Sequence, residues 1–557
     1  MDGDLNWLEA RRTSPEMLAR ARQILEAVRD GAEVTAAVRG HPLADGRLLG
    51  KHVLVRAYLQ LTGEGGWPAD PDLLRRIRMK PVRTLSGVTT VTVLTEPAGC
   101  PGQCLFCPTV EQMPKSYLPD EPGARRAVQH GFDPFAQTAS RLEALRAIGH
   151  PTDKVELLIL GGTWSAYPAE YQQWFVQRCL EALNGSASRS LAEAQQANAG
   201  ARHRNVGLVV ETRPDWVTPE EVRRLRHLGV TKVQIGVQSL DDRILALNRR
   251  GHTVAETRAA MRLLRAAALK IVAHWMPNLL GATPDSDRQD FARLWDDADL
   301  RPDEIKIYPC QLLPGTGLEQ AWRRGEYQPY TTAELVTLLA DVKPGIPRYC
   351  RVNRVVRDIP SQHVLEGNRR TSLRLDVQAE LRRRGQTCGC IRCREVRART
   401  VAVDELTFDD LAYEAGGAQE HFLSYAASDD GLAGYLRLSL PGAGSPDTGL
   451  DDLHGAALVR EVHVYGESLV IGAEPNGAAQ HAGLGRRLMA EAEGRAAAQG
   501  FRRVAVIAAL GTRRYYERLG YRLGETYMVK DLPVGLPGEE GRSPVFGGMG
   551  SPGPNSA

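Results

Sequence analysis

Between residues 88 and 313, short β-branched apolar runs recur: VTTVTVLT (88–95), VELLIL (155–160), VGLVVET (206–212), KVQIGVQS (232–239), KIVAHWM (270–276) and EIKIYPC (304–310). Stretches with helical spacing, such as EEVRRLRHLG and AAMRLLRAAALK, stand between them. Continuous apolar strands alternating with amphipathic helices predict βα units and a parallel sheet covered on both faces. Six such units suit a partial, open α/β barrel. The first connection is long and rich in Pro and Gly, which marks a functional loop. GSASRSLAEAQQANAGAR reads as a surface insertion.

The flanks carry different rhythms. Residues 1–80 read as helical, with SPEMLARARQILEAVRDGA placing apolar residues at helical spacing behind a Ser-Pro start. Past about residue 400, VAVDEL, HFLSYAA, GLAGYLRLSL, LVREVHVYG and RRVAVIAAL alternate as strands, and HAGLGRRLMAEAEGRAAAQG reads as a helix ending in glycine. The expected organisation is a helical segment (1–80), a barrel (81–343), an Arg- and Cys-rich linker (344–400), a second α/β domain (401–533) and a disordered Gly/Pro/Ser-rich tail (534–557).

Composition adds little until charge is localised. The 557 residues carry a net charge of +3, with 43% hydrophobic and 25% charged residues, as in ordinary globular proteins. Nucleic-acid binding therefore needs local patches. LLRRIRMKPVR and the series Arg348, Arg351, Arg354, Arg357, Arg369, Arg370, Arg374, Arg382, Arg383 and Arg384 are candidates. A charge run alone is more simply a solvated face, but this one adjoins the junction of two domains. The acidic start MDGDLNWLEARRTSPEM has no apolar secretion signal, and no apolar run reaches membrane-spanning length. A cytoplasmic protein is expected. Its 9 cysteines are clustered and odd in number, which favours metal or cluster ligation over disulfides.

Cys100, Cys104 and Cys107, spaced C-x3-C-x2-C, follow the first strand. Parallel barrels place chemistry at the C-terminal ends of their strands. Gly161, Gly162 and Thr163 end the second strand, Glu211 the third, Gln238 and Ser239 the fourth and Cys310 the sixth, so special residues gather on one rim. Three thiolates can hold three irons of a [4Fe–4S] cluster and leave the fourth iron open. A structural zinc site would want a fourth ligand nearby, and no fourth cysteine follows within 70 residues.

Cys100, Cys104, Cys107 and the glycine pair resemble the radical S-adenosylmethionine enzymes. That likeness implies an electron passed from the cluster to S-adenosylmethionine, a 5′-deoxyadenosyl radical, and cofactor contacts at Gly161, Gly162, Thr163, Glu211, Gln238 and Ser239. MKPVRTLSGV, MPKSYLPDEPGA, DKVELLILGGTW, ETRPDW, QIGVQSLDD, LNRRGHTV and IYPCQLLPGTGL narrow the resemblance to the catalytic subunits of Elongator, in a single-chain prokaryotic form. That family modifies the wobble uridine of tRNA.

The stretch Gln480-His481-Ala482-Gly483-Leu484-Gly485-Arg486 opens a helix after a strand. Glycines and a helix start suit a pyrophosphate, although a plain flexible loop would read the same way. With Tyr515, Tyr516 and GYRLGETYMVK, it resembles the GCN5-related (GNAT) acetyltransferases. The resemblance implies acetyl-CoA on Glu461, Val462, His463 and Val464, on Leu484, Gly485 and Arg486, and at Tyr516, the catalytic candidate, with a further contact at Lys154. Read without it, Lys154 is a charged strand-start residue and Tyr515 a core aromatic.

Cys388, Cys390 and Cys393 supply three ligands of a structural zinc site, with Cys310 or Cys350 as the fourth. The family pattern C-x-D-I-R-x-R-E keeps only the first of the trio and so implies Cys310, Cys350 and Cys388 as the shared set. Cys179 is expected in a core. The whole resemblance spans about residues 75–531. It implies a tRNA uridine(34) acetyltransferase that forms 5-carboxymethyluridine from acetyl-CoA by radical chemistry. It names no electron donor and leaves open a homodimer or Elongator-type accessory subunits. The rivals are a protein lysine acetyltransferase with a structural cluster, two unrelated enzymes fused in one chain, and a non-catalytic tRNA scaffold.

Overall fold

The computed structural model describes residues 13–63, 66–80, 84, 87–397, 399, 401–465 and 483–533. The expected disordered tail, Gln480, His481 and Ala482 of the glycine loop, and Pro81, Val82 and Arg83 of the basic run lie outside these residues.

Four helices, α1 (Pro15–Arg29), α2 (Val34–Gly40), α3 (Lys51–Gly63) and α4 (Pro71–Ile77), form the N-terminal unit. Ser14 and Asp70 cap α1 and α4 by accepting from backbone N–H groups, each with Pro in the first turn. Ile24, Leu25, Val53, Leu54 and Ile77 fill its own small core.

The barrel sheet is β1 (Thr89–Leu94), β2 (Lys154–Leu160), β3 (Arg204–Thr212), β4 (Lys232–Gln238), β5 (Lys270–Trp275), β6 (Glu304–Ile307) and β7 (Arg351–Arg354). The strands lie side by side in chain order, and each pairs in parallel with the next. β1 and β7 are the two edges, so the barrel is open between them. The six expected strands are present. The seventh is a correction, because it comes from the segment read as a linker. RVNR buries Val352 alone among four residues and lacks an apolar run to betray it. The expected surface insertion holds the helix Leu191–Asn198, which buries Leu191, Ala194 and Asn198.

The second sheet contains β8 (Thr407–Ala415), β9 (Ala418–Ala426), β10 (Leu432–Pro441), β11 (Ala456–Val464), β12 (Arg503–Val506), β13 (Arg522–Leu523) and β14 (Met528–Asp531), in the order β13-β14-β12-β11-β10-β9-β8. VAVDEL is not a strand, since Val403–Glu405 forms a 3-10 turn. β11 and β12 run parallel and pair only from Ala456 to Val459, so β11 continues to Val464 without β12 beside it. The helix Leu484–Ala498 packs on this sheet through Leu488, Met489 and Ala492.

The two sheets share one interior, besides the second sheet's own core under its helix. One apolar cluster joins Val91, Leu157, Ile235 and Cys179 of the barrel region to Tyr435, Leu458, Ala505 and Tyr527 of the second domain. No helix among the described residues is long and apolar enough to cross a membrane.

Candidate active site

The C-x3-C-x2-C loop sits over the C-terminal ends of the barrel strands. Cys104 is buried, and Cys100 and Cys107 are half-buried. Arg250 donates to Cys104 Sγ at 3.5 Å and to the Gly236 carbonyl at 2.8 Å. Gly236 is needed there, because a Cβ would lie 2.4 Å from the Arg250 guanidinium. Arg213, on the other side, is held by Asp215 through two bonds of 2.9 Å. The Cys107 thiol and the guanidinium groups of Arg250 and Arg213 hold the Cys104 thiol down to about 5, against the effect of burial. Donation to Cys104, together with burial, pushes Cys107 up. Such an electropositive pocket favours thiolates and suits a cluster.

The glycine pair completes this end. Gly161 (φ +145°) and Gly162 (φ +100°) adopt backbone that L side chains rarely take, and a Cβ on Gly161 would meet Thr95 Oγ1 at 1.7 Å. Thr163 Oγ1 lies 3.7 Å from Cys100 Sγ. Gln238 sits at a break in the β4–β5 register with φ +67°, and its buried Oε1 has no partner. Glu211 lies 3.4 Å from the Tyr117 hydroxyl and 3.6 Å from His274 Nδ1. Burial raises its carboxyl, and Lys306 and Arg357 offset part of that rise.

One cavity of about 990 Å³ runs from this loop to the second sheet. It is lined by Cys100, Cys104, Cys107, Gly162, Thr163, Glu211, Gln238 and Cys310 at one end. At the other it is lined by Glu461, Val462, His463 and Tyr516. Burial keeps His463 neutral, lowering it to about 4, and its buried Nε2 has no partner. Burial also raises the Tyr516 phenol, so it keeps its proton. The helix Leu484–Ala498 starts at Gly483 (φ +78°) without a side-chain cap, so its first amide groups suit a phosphate oxygen. Gly485 passes close to Tyr515, where a Cβ would stand 2.9 Å from the hydroxyl.

Other expected residues lie off the cavity wall. Gly161 backs onto Thr95. Ser239 Oγ is committed to Asp290 Oδ1 at 3.1 Å. Val464 and Leu484 pack together with Ala433, and Arg486 is exposed. Lys154 begins β2, paired in register with Arg204, which itself contacts Gly511 of the second domain.

The cysteines of the linker regroup. The ligand atoms of Cys388, Cys390 and Cys393 lie within 4.8 Å of one another. Cys350 is buried beside Cys390. Cys310 is elsewhere, packed with Cys104, Phe106 and Tyr327. The set Cys310, Cys350 and Cys388 is therefore not assembled, because β6 delivers Cys310 to the cluster end of the cavity. Cys179 is fully buried in the main core.

Much of the arginine series pairs with acids of the same chain, several of them at the surface. Arg348 meets Asp430 at 2.6 Å, Arg354 meets Asp358 at 2.6 Å, Arg357 meets Glu121 at 3.0 Å and Arg370 meets Asp376 at 3.1 Å. Arg383 and Arg384 pair with Glu380 and Asp341.

Sequence reasoning missed the charged floor of the cavity. Lys232 pairs with Glu156 at 2.8 Å, Lys270 pairs with Glu461, and Arg437 reaches the same Glu461 at 2.9 Å. Glu461 is thus an ion-pair partner between domains as well as a cavity residue. Charged residues inside otherwise apolar strands were the available signal.

Three family models match the chain: the Radical SAM superfamily over residues 97–294, the Radical SAM C-terminal domain over 302–383 and the Acetyltransferase (GNAT) family over 391–521. A tRNA uridine(34) acetyltransferase of Dehalococcoides mccartyi is 44% identical over 454 residues, covering 81% of this chain and 99% of the relative. Human Elongator complex protein 3 is 36% identical, over 83% of this chain and 87% of the relative. The solved structure of archaeal Methanocaldococcus infernus Elp3 with an N-terminal deletion superposes with a TM-score of 0.71 at 36% identity. It covers 80% of this chain and 100% of that one. A radical S-adenosylmethionine half-barrel and a GNAT acetyltransferase domain share one cavity, and the chain is an acyltransferase of the tRNA uridine(34) acetyltransferase and Elongator complex protein 3 family.

Proposed function

We propose that the protein uses acetyl-CoA and S-adenosylmethionine to form 5-carboxymethyluridine at the wobble position of tRNA, in the cytoplasm. The observation that carries this reading is the single cavity reaching from Cys100, Cys104 and Cys107 to Glu461, His463 and Tyr516. A lysine acetyltransferase with a structural cluster would have no use for that connection.

In this reading Cys100, Cys104 and Cys107 hold a [4Fe–4S] cluster. Gly161, Gly162, Thr163, Glu211, Gln238 and Ser239 form the S-adenosylmethionine side. Glu461, Val462, His463, Val464, Leu484, Gly485, Arg486, Tyr516 and Lys154 form the acetyl-CoA side. The bound cluster and S-adenosylmethionine supply radical chemistry at carbons that are not activated nucleophiles. The chain itself positions, shields and manages protons. Arg250 and Arg213 favour the thiolate of Cys104. Tyr516, protonated at neutral pH, can donate to the departing CoA sulfur. Cys388, Cys390 and Cys393 hold a structural zinc that pins the linker between the domains.

The test is anaerobic reconstitution with iron, sulfide and reductant, followed by incubation with S-adenosylmethionine, acetyl-CoA and bulk tRNA and nucleoside mass spectrometry. The expected product is 5-carboxymethyluridine. Absence of any C5-substituted uridine, with the cluster intact, would sink the reading.

A further inference from the structure

Arg392 differs from the other arginines of its segment. It lies in the short turn Ile391–Arg394, between Cys390 and Cys393. The clustered thiols of Cys388, Cys390 and Cys393 fix both ends of that turn. Ile391 is fully buried, and Arg394 donates to both oxygens of Asp430 at 2.9 Å. Arg392 stands half-buried on the cavity wall. Among the described residues it has no hydrogen bond or ion pair. Glu395 acts on it, but that carboxylate is already bonded to Arg351 at 2.9 Å. Arg351, Arg397 and Arg374 surround it with like charge.

A half-exposed guanidinium facing the cavity without a partner is open to an anion. Its planar fork matches two phosphate oxygens. The position says which phosphate. The sheet ends at β7 and does not pair back to β1, which leaves the barrel open along that edge. Arg374 covers the edge by donating to the carbonyls of Val352 and Asn353 at 3.2 and 3.1 Å, and Arg392 is its neighbour. A polymer can enter the cavity from an open side. The phosphates of CoA have their own place at the uncapped helix start, on the other sheet. We propose that Arg392, presented by the cysteine turn, seats a backbone phosphodiester of the RNA substrate at the open edge of the barrel. This rests on the RNA-modifying reading above.

The test uses the full-length, metal-loaded protein and a labelled anticodon stem–loop RNA, with fluorescence anisotropy across a salt series. Arg392→Ala is expected to weaken binding about tenfold and to lower the log–log salt slope by about one. Its metal content and acetyl-CoA affinity are expected to stay at wild-type levels. Arg392→Lys is expected to keep the slope and lose part of the affinity, because it lacks the fork. Wild-type affinity and slope in Arg392→Ala would overturn the proposal, as would a loss confined to acetyl-CoA. If Arg392→Ala loses its metal, Arg392→Lys decides: reduced affinity at an unchanged slope supports the seat, and unchanged affinity overturns it. Failure of the wild-type protein to bind the RNA at all sinks the RNA-modifying reading itself, whereas wild-type binding with an indifferent Arg392→Ala sinks the seat alone.

Discussion

Arg460 of the acetyltransferase sheet donates to Asp303 of the barrel at 3.0 Å, and neither side chain is exposed. The same guanidinium reaches Glu420 at 2.8 Å and the Leu269 carbonyl at 2.9 Å. Removing one member of such a pair strands a buried charge, at a cost of about 3–5 kcal/mol. Arg460→Ala is expected to lose that much unfolding free energy in a urea titration. The two domains expressed as separate chains are expected to aggregate. Separate halves that each stay folded and soluble would show that this interface contributes nothing.

The same network sets a pH dependence. Burial alone would raise Asp303, but Arg460, Arg437 and Arg265 outweigh it and hold the carboxyl below its ordinary range. A carboxyl depressed in the folded state stabilises fully above its unfolded value of about 3.9, and that stabilisation is lost as pH falls through the folded value. Unfolding free energy measured from pH 7 downward is expected to fall in acid more steeply for the wild type than for Asp303→Asn. Parallel curves would remove Asp303 from the account.

Gly161 admits no side chain. Its φ of +145° and a Cβ position 1.7 Å from Thr95 Oγ1 make Gly161→Ala incompatible with the turn after β2. The variant is expected to lose more than about 1 kcal/mol of stability and to bind S-adenosylmethionine poorly. Calorimetric titration with S-adenosylmethionine and a denaturant melt read both effects. Wild-type values in both would refute the steric argument.

The thiol group at the linker makes a prediction about stoichiometry. Cys388→Ser, Cys390→Ser and Cys393→Ser are each expected to lower bound zinc from about one per chain toward zero, whereas Cys310→Ser leaves it in place. Elemental analysis after anaerobic purification decides. Loss of zinc in Cys310→Ser would restore the ligand set that the family pattern implied.

Much of the barrel was legible because parallel strands are buried on both faces. Val233, Ile235 and Val237 of β4 and Ile271, Val272 and Ala273 of β5 are wholly buried, so β-branched and small apolar residues dominate these runs. β7 carried no such mark. β8 reads TFDDLAYEA because it is an edge strand with alternating exposure. The cysteine spacing revealed the cluster loop, since ligands on one short loop are local information. Arg213 and Arg250 were not legible as its companions. Their meeting with Cys104 depends on the end of β3 and the turn after the helix Asp242–Leu247 coming beside the same loop. Cys310 misled for the converse reason, since a family pattern gives company in sequence and not distance in space.

The Arg460–Asp303 link also has a consequence in time. The barrel strands pair in the order in which they are synthesised, so the sheet can grow as the chain emerges. Asp303 has Arg265 of the barrel at 3.8 Å, but its hydrogen-bonded cation, Arg460, lies 157 residues downstream. At about 5–20 residues per second that delay is roughly 8–30 s. During this interval Arg265 is the only one of the three arginines around Asp303 that the nascent half-barrel supplies. The network closes only when β10 and β11 deliver Arg437 and Arg460.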